Sequence, residues 1–203
     1  MPSRYHLTSS PDAVRTHFGY HNEHRFPPRD VIVPGEPVMI VRRGHGGRRE
    51  AHLVRWGLIP PWARDFDKLG MLNTARVETV SEKPSFRGAM RHKRCLVPAT
   101  GFFIGRRWIA RPAEHSVGGV LGFAGLYEEW MGADGSEIDS MAILTTAAAG
   151  TTLSRYGGRI PVTIAPQDYA QWLDCRGVTA AEAAQLLSKP STTDLQVIEN
   201  SLD

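Results

Sequence analysis

The residues of this 203-residue chain that invite a chemical reading are eight histidines, two cysteines and one arginine-rich glycine loop. His17, His21 and His24 lie close together near the start, a grouping that would suit a metal ion. No cysteine or carboxylate stands at a matching second site, so no metal is expected there. Cys95 and Cys175 have no further Cys or His at ligand spacing, and two cysteines cannot make a disulfide scaffold; they read as reduced, mostly buried thiols. Ser154-Arg155-Tyr156 has neither histidine nor acid at local spacing, which removes a serine nucleophile. Gly44-His45-Gly46-Gly47, flanked by Arg42, Arg43, Arg48 and Arg49, has the composition of a phosphate cradle without the pattern of a phosphate loop. It reads as a solvated hairpin tip. Nothing in these patterns calls for a cofactor.

Charge is more informative. The net charge is only +3, but residues 1–111 hold 20 Lys and Arg against 9 Asp and Glu, and residues 112–203 hold 4 against 12. Such a split lets one surface carry strongly positive potential, the electrostatic footprint of a polyanion binder. Halves of a sequence need not be faces of a molecule, so a solvated basic surface remains the other reading. No run of about 18 apolar residues occurs, which argues against a membrane-spanning helix. The first residues show no basic segment leading into an apolar stretch, so no secretory signal and a cytoplasmic location are expected.

The elements that must position these residues are short. Thirty-four Gly and Pro residues break the chain into many pieces, against a helical bundle. Residues 37–42 and 51–56 predict one hairpin, residues 121–130 and 141–146 a second across Gly132-Ala133-Asp134-Gly135, and residues 160–164 a further strand. Ser10 followed by Pro11 predicts a helix through Phe18, residues 166–173 predict another, and Thr179 with Glu182 at capping-box spacing predicts a third through Leu187. The expected fold is α+β, a mostly antiparallel, barrel-like β core with short peripheral helices. No stretch reads as a linker, so one domain over 1–203 is expected.

Several stretches resemble the SOS response-associated peptidase (SRAP) family of abasic-site processing proteins. They are Trp56-Gly57-Leu58-Ile59-Pro60-Pro61-Trp62-Ala63, Ala75-Arg76-Val77-Glu78-Thr79-Val80 with Lys83-Pro84-Ser85-Phe86-Arg87, Arg94-Cys95-Leu96-Val97-Pro98-Ala99-Thr100-Gly101-Phe102, Ile143-Leu144-Thr145-Thr146-Ala147-Ala148 and Arg159-Ile160-Pro161-Val162. They occur in the family's order over most of residues 1–165. The resemblance implies a mostly β domain with a basic channel for single-stranded DNA, and a role in the DNA damage (SOS) response. It also implies cross-linking or lyase chemistry at abasic sites and autopeptidase activity, carried by an N-terminal cysteine, a glutamate and a histidine.

Carried over residue by residue, that chemistry is missing. The cysteine position is Pro2, the glutamate position Ile104 and the histidine position Gly157; the asparagine before the Ala-Arg pair is replaced by Thr74, with Asn73 one residue earlier. A thiazolidine cannot form without a thiol, and a one-residue shift in a strand turns a side chain to the opposite face. The matches that survive bind rather than react. Arg4, Arg76 and Arg159 can contact phosphate oxygens bidentately, and Arg76 can equally close an internal ion pair. Trp62 can stack an unpaired base or anchor its own loop.

The expectation is a diverged family member that binds single-stranded or abasic DNA through Arg4, Trp62, Asn73, Thr74, Arg76 and Arg159, with thiol cross-linking lost. Two alternatives stay open. With Met1 removed, the secondary amine of Pro2, of a class whose pKa is about 8, can attack an aldehyde and support a Schiff-base lyase. Otherwise the scaffold serves as a protein-interaction module that binds no DNA.

Overall fold

The computed structural model describes residues 3–23, 26–65, 68–111, 119–156, 158–188 and 195–198. Both predicted hairpins form. β3 (Pro37–Arg43) pairs β4 (Arg49–Trp56) from Pro37↔Arg55 to Arg43↔Arg49. β9 (Leu121–Met131) pairs β10 (Glu137–Ala147) from Met131↔Glu137 inward. β6 (Arg94–Ala99), buried at every residue, joins β3 to β9. The ring closes where β10 also pairs β4, in parallel, at Ser140↔Arg55 and Met141↔Trp56. The result is a five-stranded barrel, β4-β3-β6-β9-β10, closed by the last two residues of β4, while His21 and Asn22 bond the edge of β4 at Arg49 and Ala51.

Short strands extend the ladder beyond the barrel wall. β5 (Thr74–Arg76) runs parallel to β10, with Ile143↔Thr74 and Thr145↔Arg76. β11 (Arg159–Pro161) runs antiparallel to it, with Thr145↔Pro161 and Ala147↔Arg159. β12 (Thr163–Ile164) pairs β9.

A second, antiparallel sheet was not foreseen. Its order is β13 (Gln196–Ile198), β8 (Arg107–Ala110), β7 (Gly101–Ile104), β1 (Tyr5–Leu7), β2 (Arg29–Ile32). Tyr5 and Phe102 point into the barrel, where Tyr5 meets Trp56 at 5.1 Å and Phe102 meets Phe123 at 5.9 Å, both edge-on. Gly101 opens β7 because a Cβ there would sit 2.6 Å from the Ile109 carbonyl oxygen; the two strands approach too closely for any side chain.

The helices cover the barrel as expected. In α1 (Pro11–Phe18) the Ser10 hydroxyl accepts from the Ala13 N–H, and Val14 and Phe18 are buried. The predicted 166–173 helix is a 3-10 turn, Pro166–Asp168, that continues into α3 (Tyr169–Leu173). α4 (Ala180–Leu187) carries the full Thr179–Glu182 capping box. The short α2 (Arg87–His92) precedes β6.

Arg94, 1% exposed, locks these helices to the barrel. Its guanidinium donates to the carbonyls of Met90, Trp172, Asp174 and Val178 at 2.7–2.9 Å. A buried cation survives because four of its N–H donors are satisfied by carbonyls. Among the described residues no helix is long and apolar enough to cross a membrane, and no cluster of three or more His, Cys, Asp or Glu is placed to hold a metal. Of the histidine group, His17 bonds the Tyr169 hydroxyl at 3.0 Å and His21 faces the Arg49 carbonyl at 2.9 Å; His24 lies outside the described residues.

Candidate nucleic-acid interface

Strand directions decide what gathers where. β3 and β9 run opposite to β4, β6 and β10, so the finish of β10 shares one end of the barrel with the finish of β4 and the start of β9. That end is extended by β5 and β11, one on each side of β10, and they bring Arg76 and Arg159 together across it.

The two arginines play different parts. Arg159 donates through Nη1 and Nη2 to the two carboxylate oxygens of Glu78, at 3.1 and 2.7 Å, and through Nε to Thr145 Oγ1 at 3.1 Å; its Nη2 also reaches the Thr145 carbonyl. The Arg159 guanidinium holds the Glu78 carboxyl below its usual range. This fork clamps β5 and β11 to β10, and it commits most of Arg159's donors. Arg76 is exposed, and among the described residues its guanidinium has no hydrogen bond or ion pair. Its positive charge adds a little to the lowering at Glu78.

Strand alternation puts Thr74 on the Arg76 side of β5 and buried Ala75 on the other. Thr74 is half-buried. Asn73, just outside the strand, contributes its backbone carbonyl, which accepts from the Trp56 indole at 2.8 Å and from the Ile143 N–H at 3.1 Å.

The loop from Gly57 to Asn73 carries Trp62. Gly57 has φ +138°, a conformation that L side chains avoid, and a Cβ there would meet Met71 Sδ at 2.6 Å. Pro60 and Ala63 close a turn, and the Ala63 carbonyl accepts from the buried Trp130 indole at 2.7 Å. A small core of Ile59, Ala63 and Trp130 thus anchors the loop, while the Trp62 ring itself stands 55% exposed.

Arg4 belongs to the second sheet. Its carbonyl accepts from Phe103 N–H at 3.2 Å, its Nη2 donates to the Gly105 carbonyl at 3.1 Å, and its guanidinium carbon lies 4.6 Å from the Phe103 ring centroid. Ile104 is half-buried next to this contact and opposite Arg107 in β8. Arg107 in turn lies 5.2 Å from the Tyr156 ring, three residues before Arg159. Pro2 and Gly157 lie outside the described residues.

Beside Arg4, on the same side of β1, is His6. It is 6% exposed, wedged between Phe103 and Trp108, and its Nε2 has no hydrogen-bond partner among the described residues. Burial pushes its pKa down to about 4, with the Asp30 charge opposing and Arg4 reinforcing, so the imidazole is neutral at pH 7. Sequence reading passed over His6, Glu78, Thr145, Arg107 and Tyr156. Glu78 was legible in principle, standing two residues after Arg76 in a stretch already singled out; the others depend on contacts between distant segments.

A barrel whose strand ends carry one locked and one free arginine, beside a half-exposed indole loop, sets the class of fold against which relatives can be compared. The family model of the SOS response associated peptidase (SRAP) matches residues 1–201. The abasic site processing protein YoqW of Bacillus subtilis is 30% identical over 211 aligned positions, covering 99% of this chain and 92% of that protein. Crystal structures of a Bordetella bronchiseptica protein (26% identity, TM-score 0.80, 98% of this chain and 100% of that one) and a Bacteroides thetaiotaomicron protein (25%, 0.81, 97% and 92%) share the fold. The chain belongs to the SRAP family.

Proposed function

We propose that this protein acts on DNA at abasic sites by binding, as a diverged SRAP member without thiol cross-linking. The carrying observation is Arg76: an exposed guanidinium with no acid or carbonyl partner among the described residues, next to the rigid Arg159–Glu78 fork. An arginine left free where its neighbour is largely committed is available to a phosphate oxygen. Arg4 and the exposed Trp62 extend the same reading to backbone and base contacts on a single strand. Thr74 and Asn73 shortly precede Arg76 and help shape this end of the barrel.

Loss of chemistry is supported by residue type. Pro2 brings no thiol, and Ile104 places a half-buried apolar side chain where the resemblance calls for a carboxylate. Without the thiol no thiazolidine can form, and the Ile104 side chain has no group with which to move a proton. The name of the Bacillus subtilis relative supports DNA with abasic sites as the partner.

The test incubates the protein with a single-stranded oligonucleotide containing one abasic site, with and without borohydride, and resolves the products on native and denaturing gels. A retarded native complex that weakens steeply with salt, with no covalent product, is the expected result. A borohydride-trapped band that disappears on acetylating the terminal amine would replace this reading with a Schiff-base lyase acting through Pro2. No complex on either gel would leave the interaction-module alternative.

A further inference from the structure

We propose that Arg107 and Arg155, held by the ring of Tyr156, form a phosphodiester-binding clamp for the DNA strand, outside the residues that the family resemblance assigns. The proposal rests on the DNA-binding reading above and names a further contact of that surface. Arg107 lies on β8 and Arg155 in the 3-10 turn Ser154–Tyr156, two segments that share this ring. Their guanidinium carbons stand 5.2 and 4.8 Å from the Tyr156 centroid, so two cations share one aromatic group.

The pair shares with Arg76 the lack of an ion pair among the described residues. Arg29, Arg42, Arg43 and Arg159 are each paired with a carboxylate. Among the described residues neither the Arg107 nor the Arg155 guanidinium has an ion pair or hydrogen bond, and both residues are exposed. Two like charges gathered on one ring repel each other, and an anion between them reverses the sign of that interaction. The ring holds both by cation–π attraction, which keeps the guanidinium edges free to donate.

The surroundings suit a phosphodiester. Arg155 and Tyr156 border a cleft of about 290 Å³ whose other walls include Thr152 and Gln196, so a hydroxyl and an amide group stand beside the Arg155 cation. That volume is at the lower edge of the ~300–1,000 Å³ typical of small-molecule sites, which suits one backbone unit of a longer ligand. The turn leads into β11 and Arg159, while Arg107 faces Ile104 next to the Arg4 contact. The clamp therefore continues the arginine-bearing end of the barrel.

The experiment measures binding of two fluorescent single-stranded oligonucleotides, one with an abasic site and one intact, across a salt series. Arg107→Gln and Arg155→Gln are each expected to weaken both oligonucleotides alike and to reduce the slope of log K against log salt by about 0.7, with a double variant reducing it by about 1.4. Arg107→Lys, Arg155→Lys and Tyr156→Phe, which keep the charges and the ring, are expected to keep the slope. Matched urea midpoints establish that all variants are folded. An unchanged slope in the double Gln variant, while Arg76→Gln lowers it, overturns the clamp and leaves the DNA-binding reading standing. Loss confined to the abasic oligonucleotide overturns it in favour of lesion recognition, and no binding by the parent protein overturns both readings.

Discussion

His6 gives the sharpest test of the site's electrostatics, through the substitution His6→Phe. In the folded chain its pKa is about 4, against 6.5 for a free imidazole, because burial between Phe103 and Trp108 disfavours the charged form. A depressed folded pKa means that the unfolded chain takes up the proton first. The stability at stake is present above pH 6.5 and is lost as pH falls towards 4. Between pH 7 and pH 5 the linkage amounts to about 2 kcal/mol. For a chain of this size that is a fall in Tm of roughly 4–7 °C from this one residue.

Phenylalanine keeps an aromatic ring in the wedge and removes the titrating group together with the unpartnered Nε2. Any packing cost of Phe is the same at both pH values and cancels in the comparison. His17, whose pKa is also lowered by burial, is present in both proteins and cancels too. Thermal unfolding followed by circular dichroism at pH 7 and pH 5 should therefore show the parent losing about 4–7 °C more than His6→Phe. Equal losses in the two proteins would refute the argument and mean that His6 is solvated or paired in solution.

Arg94→Met leaves four carbonyl groups at the barrel's helical cap without a donor and should cost at least about 3 kcal/mol in urea unfolding, among the largest single effects in the chain. Arg159→Leu removes the fork to Glu78 and the bond to Thr145, with an expected cost of about 1–3 kcal/mol by the same measurement. Trp62→Ala should leave the urea midpoint within about 0.5 kcal/mol of the parent, because the ring is largely in solvent. The same variant should weaken single-stranded DNA binding by about 1–3 kcal/mol in an anisotropy titration.

What the sequence revealed of the fold follows the distance between partners. β3–β4 and β9–β10 were readable because each hairpin joins neighbours through a glycine-bearing turn, and α1 and α4 announced themselves through Ser10-Pro11 and Thr179–Glu182. β1, β5, β7 and β8 are three or four residues long, too short for a period to show. β7 and β8 pair each other across the two-residue turn Gly105-Arg106, while β1 and β5 exist because distant strands supply their hydrogen bonds. β5, for example, is a strand only because Ile143 to Thr145 lie beside it.

The same limit governs the site. Arg76 and Arg159 stood out as residues able to bind phosphate, but nothing local told that Arg159 would be spent on Glu78, 81 residues away, and Arg76 left free. The question of whether Trp62 packs or is exposed turned on Trp130, which takes the Ala63 carbonyl and so fixes the loop by its backbone rather than by the Trp62 ring. Arg107, Arg155 and Tyr156 were unremarkable singly and became a group only when β8 met the turn before β11.

The parallel contact of β10 with β4 also sets an order of events during synthesis. Arg55 and Trp56 leave the ribosome long before their partners Ser140 and Met141. Until then β4 has one unpaired edge, the state in which strands join the wrong partner or another chain. Closure over so many residues makes folding slow relative to a hairpin protein of equal length. Exposed Leu53 lies on that waiting strand, next to His52 and two residues before Arg55, so these polar residues act as gatekeepers while the ring is open. A nascent chain arrested before β10 would be sticky and one arrested after it compact, a difference that protease sensitivity on stalled ribosomes would register.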